Sequence, residues 1–263
     1  MGKTFQLSCA FTLLITPLIT LAGCSGGDDD KDSNAQGGQT GSGGNGSSSA
    51  GKSAGTAGSK PGGGTGVPGK PGEVGGCKMF PAEDAWNLDI SGVAVDATWT
   101  AKVQTLVGAA KIHPDYGVDG QDLYGIPINV VPEAQALAPV TFDDYADESD
   151  AGPYPFPGPD DVIIEGNNPR ECDGDCHLLV VQQGACMLYE GYACEYRQDG
   201  WHCANGAKWD LNQVSYGQRP DGWTSADAAG LAIAPGVLRY DEVRAGEVTH
   251  ALRFTLKCTT DKY

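Results

Sequence analysis

Positive charge is scarce in this chain: 17 Lys and Arg stand against 34 Asp and Glu, for a net charge of −17 over 263 residues. Binding nucleic acid requires a cationic surface that displaces counterions from phosphates, so this balance argues against a nucleic-acid partner. It equally disfavours lying flat on an anionic bilayer. Catalytic signatures are scarce too. The chain contains no G-x-S-x-G nucleophile elbow, no P-loop and no dinucleotide fingerprint. Aromatic residues make up 8% and histidines number four, His113, His177, His202 and His250. The apolar run from Phe5 to Leu21 is broken by Ser8, Thr12, Thr16 and Pro17, and falls short of the ~20 apolar residues that a membrane-spanning helix needs.

What that run does have is Lys3 before it and Leu21-Ala22-Gly23-Cys24 after it, the layout of an export signal covering residues 1–23. The last four residues resemble the lipobox of bacterial lipoproteins. The resemblance implies cleavage before Cys24, lipidation of its thiol and anchoring to the membrane through several acyl chains, which hold where one would not. Ser25 follows where Asp would favour retention at the inner membrane, so the implied address is the cell envelope, at the outer membrane. From Ser25 to Gly76 the chain is Gly, Ser, Ala, Pro and Asp, with 19 Gly in 52 residues. Such a segment cannot offset its ordering entropy by burial and reads as a tether, residues 24–76 together with the lipidated cysteine, spanning about 40 Å.

Residues 77–263 read as one β-rich globular domain, long enough to bury a core. Trp86-Leu88-Ile90, Ile126 to Val131, Val140 to Phe142, Val162 to Ile164, Leu178 to Val181, Cys186 to Tyr196, Trp201 to Leu211 and Val248 to Leu256 carry strand patterns, and Asp199-Gly200 is a hairpin signal. Thr98 to Ala110 has Trp99, Val103, Leu106, Val107 and Ala110 at helical spacing, and Ala226 to Ala229 reads as a short helix capped by Thr224 or Ser225. Close strands with Gly-rich connections predict an antiparallel β-sandwich or jelly-roll-like domain with one or two short helices, stapled by disulfides.

Seven cysteines follow Cys24 in a chain that reads as exported, an oxidising setting that favours disulfides. Cys194 and Cys203 flank the Asp-Gly hairpin and predict a cross-strand bridge. Cys77 and Cys258 sit at the two ends of the domain and predict a second, leaving one of Cys172, Cys176 and Cys186 to stay free, pair between molecules or lack a partner. Cys172-x3-Cys176-His177 with His202-Cys203 can also be written as a zinc site, on spacing that fits loosely; no cofactor is assigned. Asp143, Asp144, Asp147, Glu148 and Asp150 ahead of a Pro-rich loop read as a solvated acidic loop, or as an oxygen cage for Ca²⁺.

The run GWTSADAAGLAIAPGVLRYDEVRAGEVTHALRFTL ending at Leu256, with HPDYG at 113–117, YGIPINVV at 124–131, DESDAGPYPFP at 147–157 and CHLLVV at 176–181, resembles a family of uncharacterised secreted bacterial proteins over residues 80–256. The resemblance implies export and carries no activity with it. Two readings of function stand. The first is a carbohydrate-active enzyme, a glycan hydrolase or lyase, with His250, His177 or His113 working with Tyr240, Asp241 or Glu242, and with Trp201, Trp209, Trp223, Tyr154 and Tyr216 as stacking platforms for a polysaccharide. The second is a non-catalytic surface lipoprotein, a monomer, that binds glycan, peptide or calcium.

Overall fold

The computed structural model describes residues 9–10, 71–108, 118–119, 122–123 and 125–256. In chain order the elements are β1 (Cys9–Ala10), β2 (Glu73–Val74), β3 (Cys77–Lys78), α1 (Ala97–Val107), β4 (Val118–Asp119), β5 (Asp122–Leu123), β6 (Ile128–Val131), β7 (Val140–Phe142), β8 (Leu178–Gln182), β9 (Met187–Tyr192), β10 (Glu195–Arg197), β11 (Gly200–Cys203), β12 (Asn205–Asp210), α2 (Tyr240–Ala245) and β13 (Thr255–Leu256). The central sheet has the order β12-β9-β8-β6, and a second sheet has the order β10-β11-β7. Most pairings are antiparallel; β6 with β8 and β7 with β11 run parallel. The protein is thus a β-rich, disulfide-stapled domain with short helices.

Both faces of the central sheet are covered, which is why Leu178 to Val181 forms an uninterrupted apolar run, each residue 0% exposed. Leu179, Val181, Leu188, Ala207 and Trp209 face one core, closed by Met79, Phe80 and Trp86 and by the segment around Ala232–Ala234. Leu178 and Val180 face the other, closed by Tyr154, Phe156 and Trp201 of the second sheet and its flanks. The run from Cys186 to Tyr196 is broken by Ala193, which takes φ 49°, and yields β9 and β10. Across the central sheet Gly191 pairs with Gly206. A Cβ on Gly191 would meet the sulfur of Cys203 at 3.0 Å, and Gly206 makes room for the rings of Phe142 and Tyr154.

Three disulfides hold these parts together. Cys194–Cys203 is the expected cross-strand bridge. Cys77 bonds to Cys186, 109 residues away, and not to Cys258, which lies outside the described residues. The reason is the docking of the N-terminal hairpin on the β8–β9 turn, where Gln183 Nε2 also donates to the Gly75 carbonyl at 2.8 Å. Cys172 closes on Cys176, so none of Cys172, Cys176 and Cys186 is left over, and the thiols of the zinc reading are consumed.

Other expectations are corrected by local hydrogen bonding. Trp86 to Ile90 is no strand: Asp84 Oδ1 accepts from the Trp86 N–H at 2.9 Å and winds the chain into turns. Val162 to Ile164 forms no ladder, although Ile164 is buried. Ala226 to Ala229 is a turn in which Ser225 Oγ accepts from the Asp227 N–H at 3.0 Å. The helix lies further on: α2 starts where Glu242 accepts from the Arg239 N–H at 2.9 Å and stops at Gly246, φ 72°. The expected strand from Val248 to Leu256 is extended but pairs only at β13, whose partner β1 belongs to the segment read as an export signal. Its backbone is held elsewhere, Ala251 N–H on the Trp86 carbonyl (2.7 Å) and Arg253 N–H on that of Gly236 (2.9 Å), and Val248, Leu252 and Phe254 remain exposed. Helix α1 forms as the spacing predicts, capped by Asp96 Oδ1 on the Trp99 N–H, yet buries none of its residues.

Candidate functional site

Strand register builds a polar row at one end of the central sheet. Asn205 stands directly across from Tyr192, and the Leu178–Gly191 pairing places His177 on the other side of Tyr192. Paired residues on neighbouring strands share a face, so His177, Tyr192 and Asn205 form one line. The rings of His177 and Tyr192 have centroids 5.6 Å apart. Towards the sheet centre the next row is Leu179, Glu190 and Ala207, where polarity gives way to core.

Each member is held from behind. His177 Nδ1 lies 2.6 Å from Glu165 Oε2, and that oxygen also accepts from the His177 backbone N–H at 3.1 Å. His177 Nε2 lies 3.1 Å from the Ala226 carbonyl. Both imidazole nitrogens are thus engaged by oxygens of the protein. Burial by itself would raise the Glu165 pKa; the hydrogen bond and charge of His177 outweigh it and hold the carboxyl below its usual value. Asn205 Nδ2 donates to the Glu148 carbonyl at 3.3 Å. Half-buried Tyr192 is pushed up by desolvation first, then by Asp175, Tyr145, Asp144 and Glu165. Its hydroxyl engages no hydrogen-bond partner among the described residues.

The other anticipated residues are dispersed. His250 is buried at its side chain (1% exposed) but serves as a strut: Nδ1 meets the Ala251 carbonyl at 2.8 Å, and Nε2 is 2.9 Å from Glu242 Oε1, an ion-pair contact off hydrogen-bond alignment. The same carboxylate binds Arg239, which pins α2 to the following extended segment. Tyr240 is 74% exposed and Asp241 is exposed on that helix, with neither bonded to a histidine. His113 lies outside the described residues. His202 fills a strap with Asp199 Oδ1 (3.0 Å), Asp143 Oδ1 (3.2 Å) and Arg197 Nη1 (2.8 Å). His177 and His250 therefore each have their own glutamate, and no hydrogen bond or ion pair joins them.

Three of the proposed stacking rings are core: Trp201 (1% exposed), Trp209 (3%) and Tyr154 (0%). Burial removes them as platforms for a sugar; Tyr216 stays exposed and Trp223 half-buried. The acidic loop is drawn apart by its own contacts. Glu148 Oε2 accepts from the Thr224 N–H at 2.8 Å, and Asp150 pairs with Arg219, whose guanidinium lies between Trp209 and Trp223. No group of three or more His, Cys, Asp or Glu side chains is poised around a common metal position among the described residues.

Sequence reasoning found His177, at the head of an apolar strand, but missed Glu165, Tyr192 and Asn205. Their only joint signal is strand register, which spacing along the chain does not carry. Comparison with protein-family models, with curated proteins and with solved structures yields no match.

Proposed function

We propose that this is a lipid-anchored cell-envelope protein, one of the secreted bacterial family it resembles, whose β-rich domain binds a hydroxyl-rich ligand, a glycan, at half-buried Tyr192, backed by the buried His177 and Asn205, without transforming it. The observation that carries the reading is the commitment of both His177 nitrogens, to Glu165 and to the Ala226 carbonyl. A ring so engaged has neither nitrogen turned to a ligand, and a phenol whose pKa is raised is no base near neutrality. Tyr192 therefore offers a hydroxyl and a ring face, while the row lacks the paired acid and base of a hydrolase or lyase. Asp144, Asp175 and Glu165, close enough to act on Tyr192, argue against polyuronates and for neutral or amine-bearing glycans.

The test is a panel of polysaccharides presented to the full-length protein in detergent, scored for retention, for new reducing ends and for unsaturated products absorbing near ultraviolet wavelengths. Retention without product is expected, and Tyr192→Phe, which removes one hydrogen bond, weakens binding by about tenfold, some 1.4 kcal/mol. Product formation that depends on His177, or a Tyr192→Phe protein that binds as the wild type does, would overturn the proposal.

A further inference from the structure

Of the three disulfides, Cys172–Cys176 closes the smallest loop and so gains least from constraining the unfolded chain. It joins residues four apart, where the others join residues 109 and 9 apart. Both sulfurs of Cys194–Cys203 lie inside the core beneath Gly191, at 0% and 1% exposure, whereas each of the other two bonds joins one buried cysteine, Cys77 (1%) or Cys176 (5%), to a half-buried one, Cys186 or Cys172. Cys172 is only half-buried, on a loop whose Glu171, Asp173, Gly174 and Asp175 are all exposed. A thiolate attacking a disulfide needs access to one sulfur, and Cys172 is the half-buried one of this pair. Cys176 holds φ 43°, a left-handed conformation that non-glycine residues adopt at a cost, as does Cys186 at φ 50°.

The position of this ring matters as much as its exposure. Cys176 immediately precedes His177, and its carbonyl accepts from the Cys194 N–H at 3.2 Å, while the Asp175 carbonyl accepts from Ala193 at 2.8 Å. The loop rejoins the sheet at Glu165, whose N–H donates to the His177 carbonyl at 3.2 Å. The small disulfide ring is thus the brace that fixes where the Glu165–His177 pair enters the sheet.

We infer that Cys172–Cys176 is a reversible thiol–disulfide exchange site, opened by a protein or small-molecule dithiol, and that opening it loosens the Glu165–His177 end of the polar row. In the first step a reductant thiolate bonds to Cys172 sulfur and the Cys172–Cys176 bond breaks, releasing Cys176 as a thiolate that takes a proton from water. The second thiol of the reductant then displaces Cys172 and leaves as a disulfide; two electrons pass to the protein, and both cysteines end as thiols. The inference does not depend on what ligand the row binds.

The experiment equilibrates the full-length native protein in buffers of graded reduced-to-oxidised dithiothreitol, traps thiols by alkylation and maps them by mass spectrometry. Cys172 and Cys176 are expected to label at a ratio at least tenfold lower than that needed for Cys77, Cys186, Cys194 and Cys203. Simultaneous reduction of all three bonds, or reduction of this one last, overturns the exchange site. Amide hydrogen exchange on the selectively reduced protein reads the second half: faster exchange at Glu165, His177 and Cys194 is expected, and unchanged protection there overturns the loosening. A Cys172→Ser/Cys176→Ser protein reports the same exchange pattern without reductant. Should that variant fail to fold, the graded reduction of the wild type still decides the order.

Discussion

Glu190 has no exposed surface, and four contacts from three donors converge on it: Trp209 Nε1 at 3.0 Å, the Ile233 N–H at 2.9 and 3.1 Å and the Ala234 N–H at 2.9 Å. It is the residue through which the segment before α2 docks on the central sheet. Burial is the largest influence on its pKa and, opposed by these donors and reinforced by Asp227, pushes it up to about 7. A carboxyl whose folded-state pKa is raised binds its proton more tightly folded than unfolded. The stability it contributes is therefore fully present below pH ~4.5 and is lost as pH rises towards 7, by up to about 3 kcal/mol. Urea unfolding between pH 4.5 and 8 is expected to show this decline in the wild type and a flatter profile in Glu190→Gln; parallel profiles would contradict the assignment. Glu165 has the opposite sign: its pKa is held down, so its contribution is present at neutral pH and is lost on acidification.

Among the elements, the pairing of β9 with β12 is the tightest constraint, because Gly191 and Gly206 face each other under a disulfide and two rings. Gly191→Ala has no room to relax away from the Cys194–Cys203 sulfurs, and a loss of about 1–3 kcal/mol in chemical denaturation is expected. The disulfides rank by the chain they close. Removing Cys77–Cys186 is expected to cost about 4–5 kcal/mol and removing Cys194–Cys203 about 2–3 kcal/mol, in the chain-entropy account; melting of the two paired Cys→Ser variants checks the order. Strands β8, β9 and β12 were legible because alternation and unbroken apolar runs report burial on one face or two. The stretch from Val248 to Leu256 alternates just as cleanly and still makes no core strand, since alternation cannot supply a neighbouring edge to pair with.

For the whole molecule, the proposal to test is the anchor at Cys24, which would make the protein a resident of the envelope. Cys24→Ala is expected to leave the precursor unprocessed, seen as a larger band that no longer takes up labelled fatty acid; normal processing of that variant would remove the anchor from the proposal. The net charge of −17 is carried in part by Asp144, Asp147, Asp173 and Asp175, exposed near the Tyr192 end of the sheet or on the loops beside it. Other acids are spent internally, Asp227 on Arg253 (2.7 Å) and Asp84 on the Ser215 N–H (2.5 Å), so charge on a loop in sequence does not translate directly into charge at a surface.

Composition and local pattern alone determined the β-rich class, the disulfide stapling and the Cys194–Cys203 bridge, because each depends on residues adjacent in the chain or on totals. Tertiary structure decided that Cys77 meets Cys186, that His250 is a strut for α2, and that His177 stands in line with Tyr192 and Asn205 beside Glu165. Those outcomes turn on which strand lies beside which, and in what register. A shift of one residue in a strand reverses every side chain it carries, and that choice is made by the packing of the two cores against the sheet.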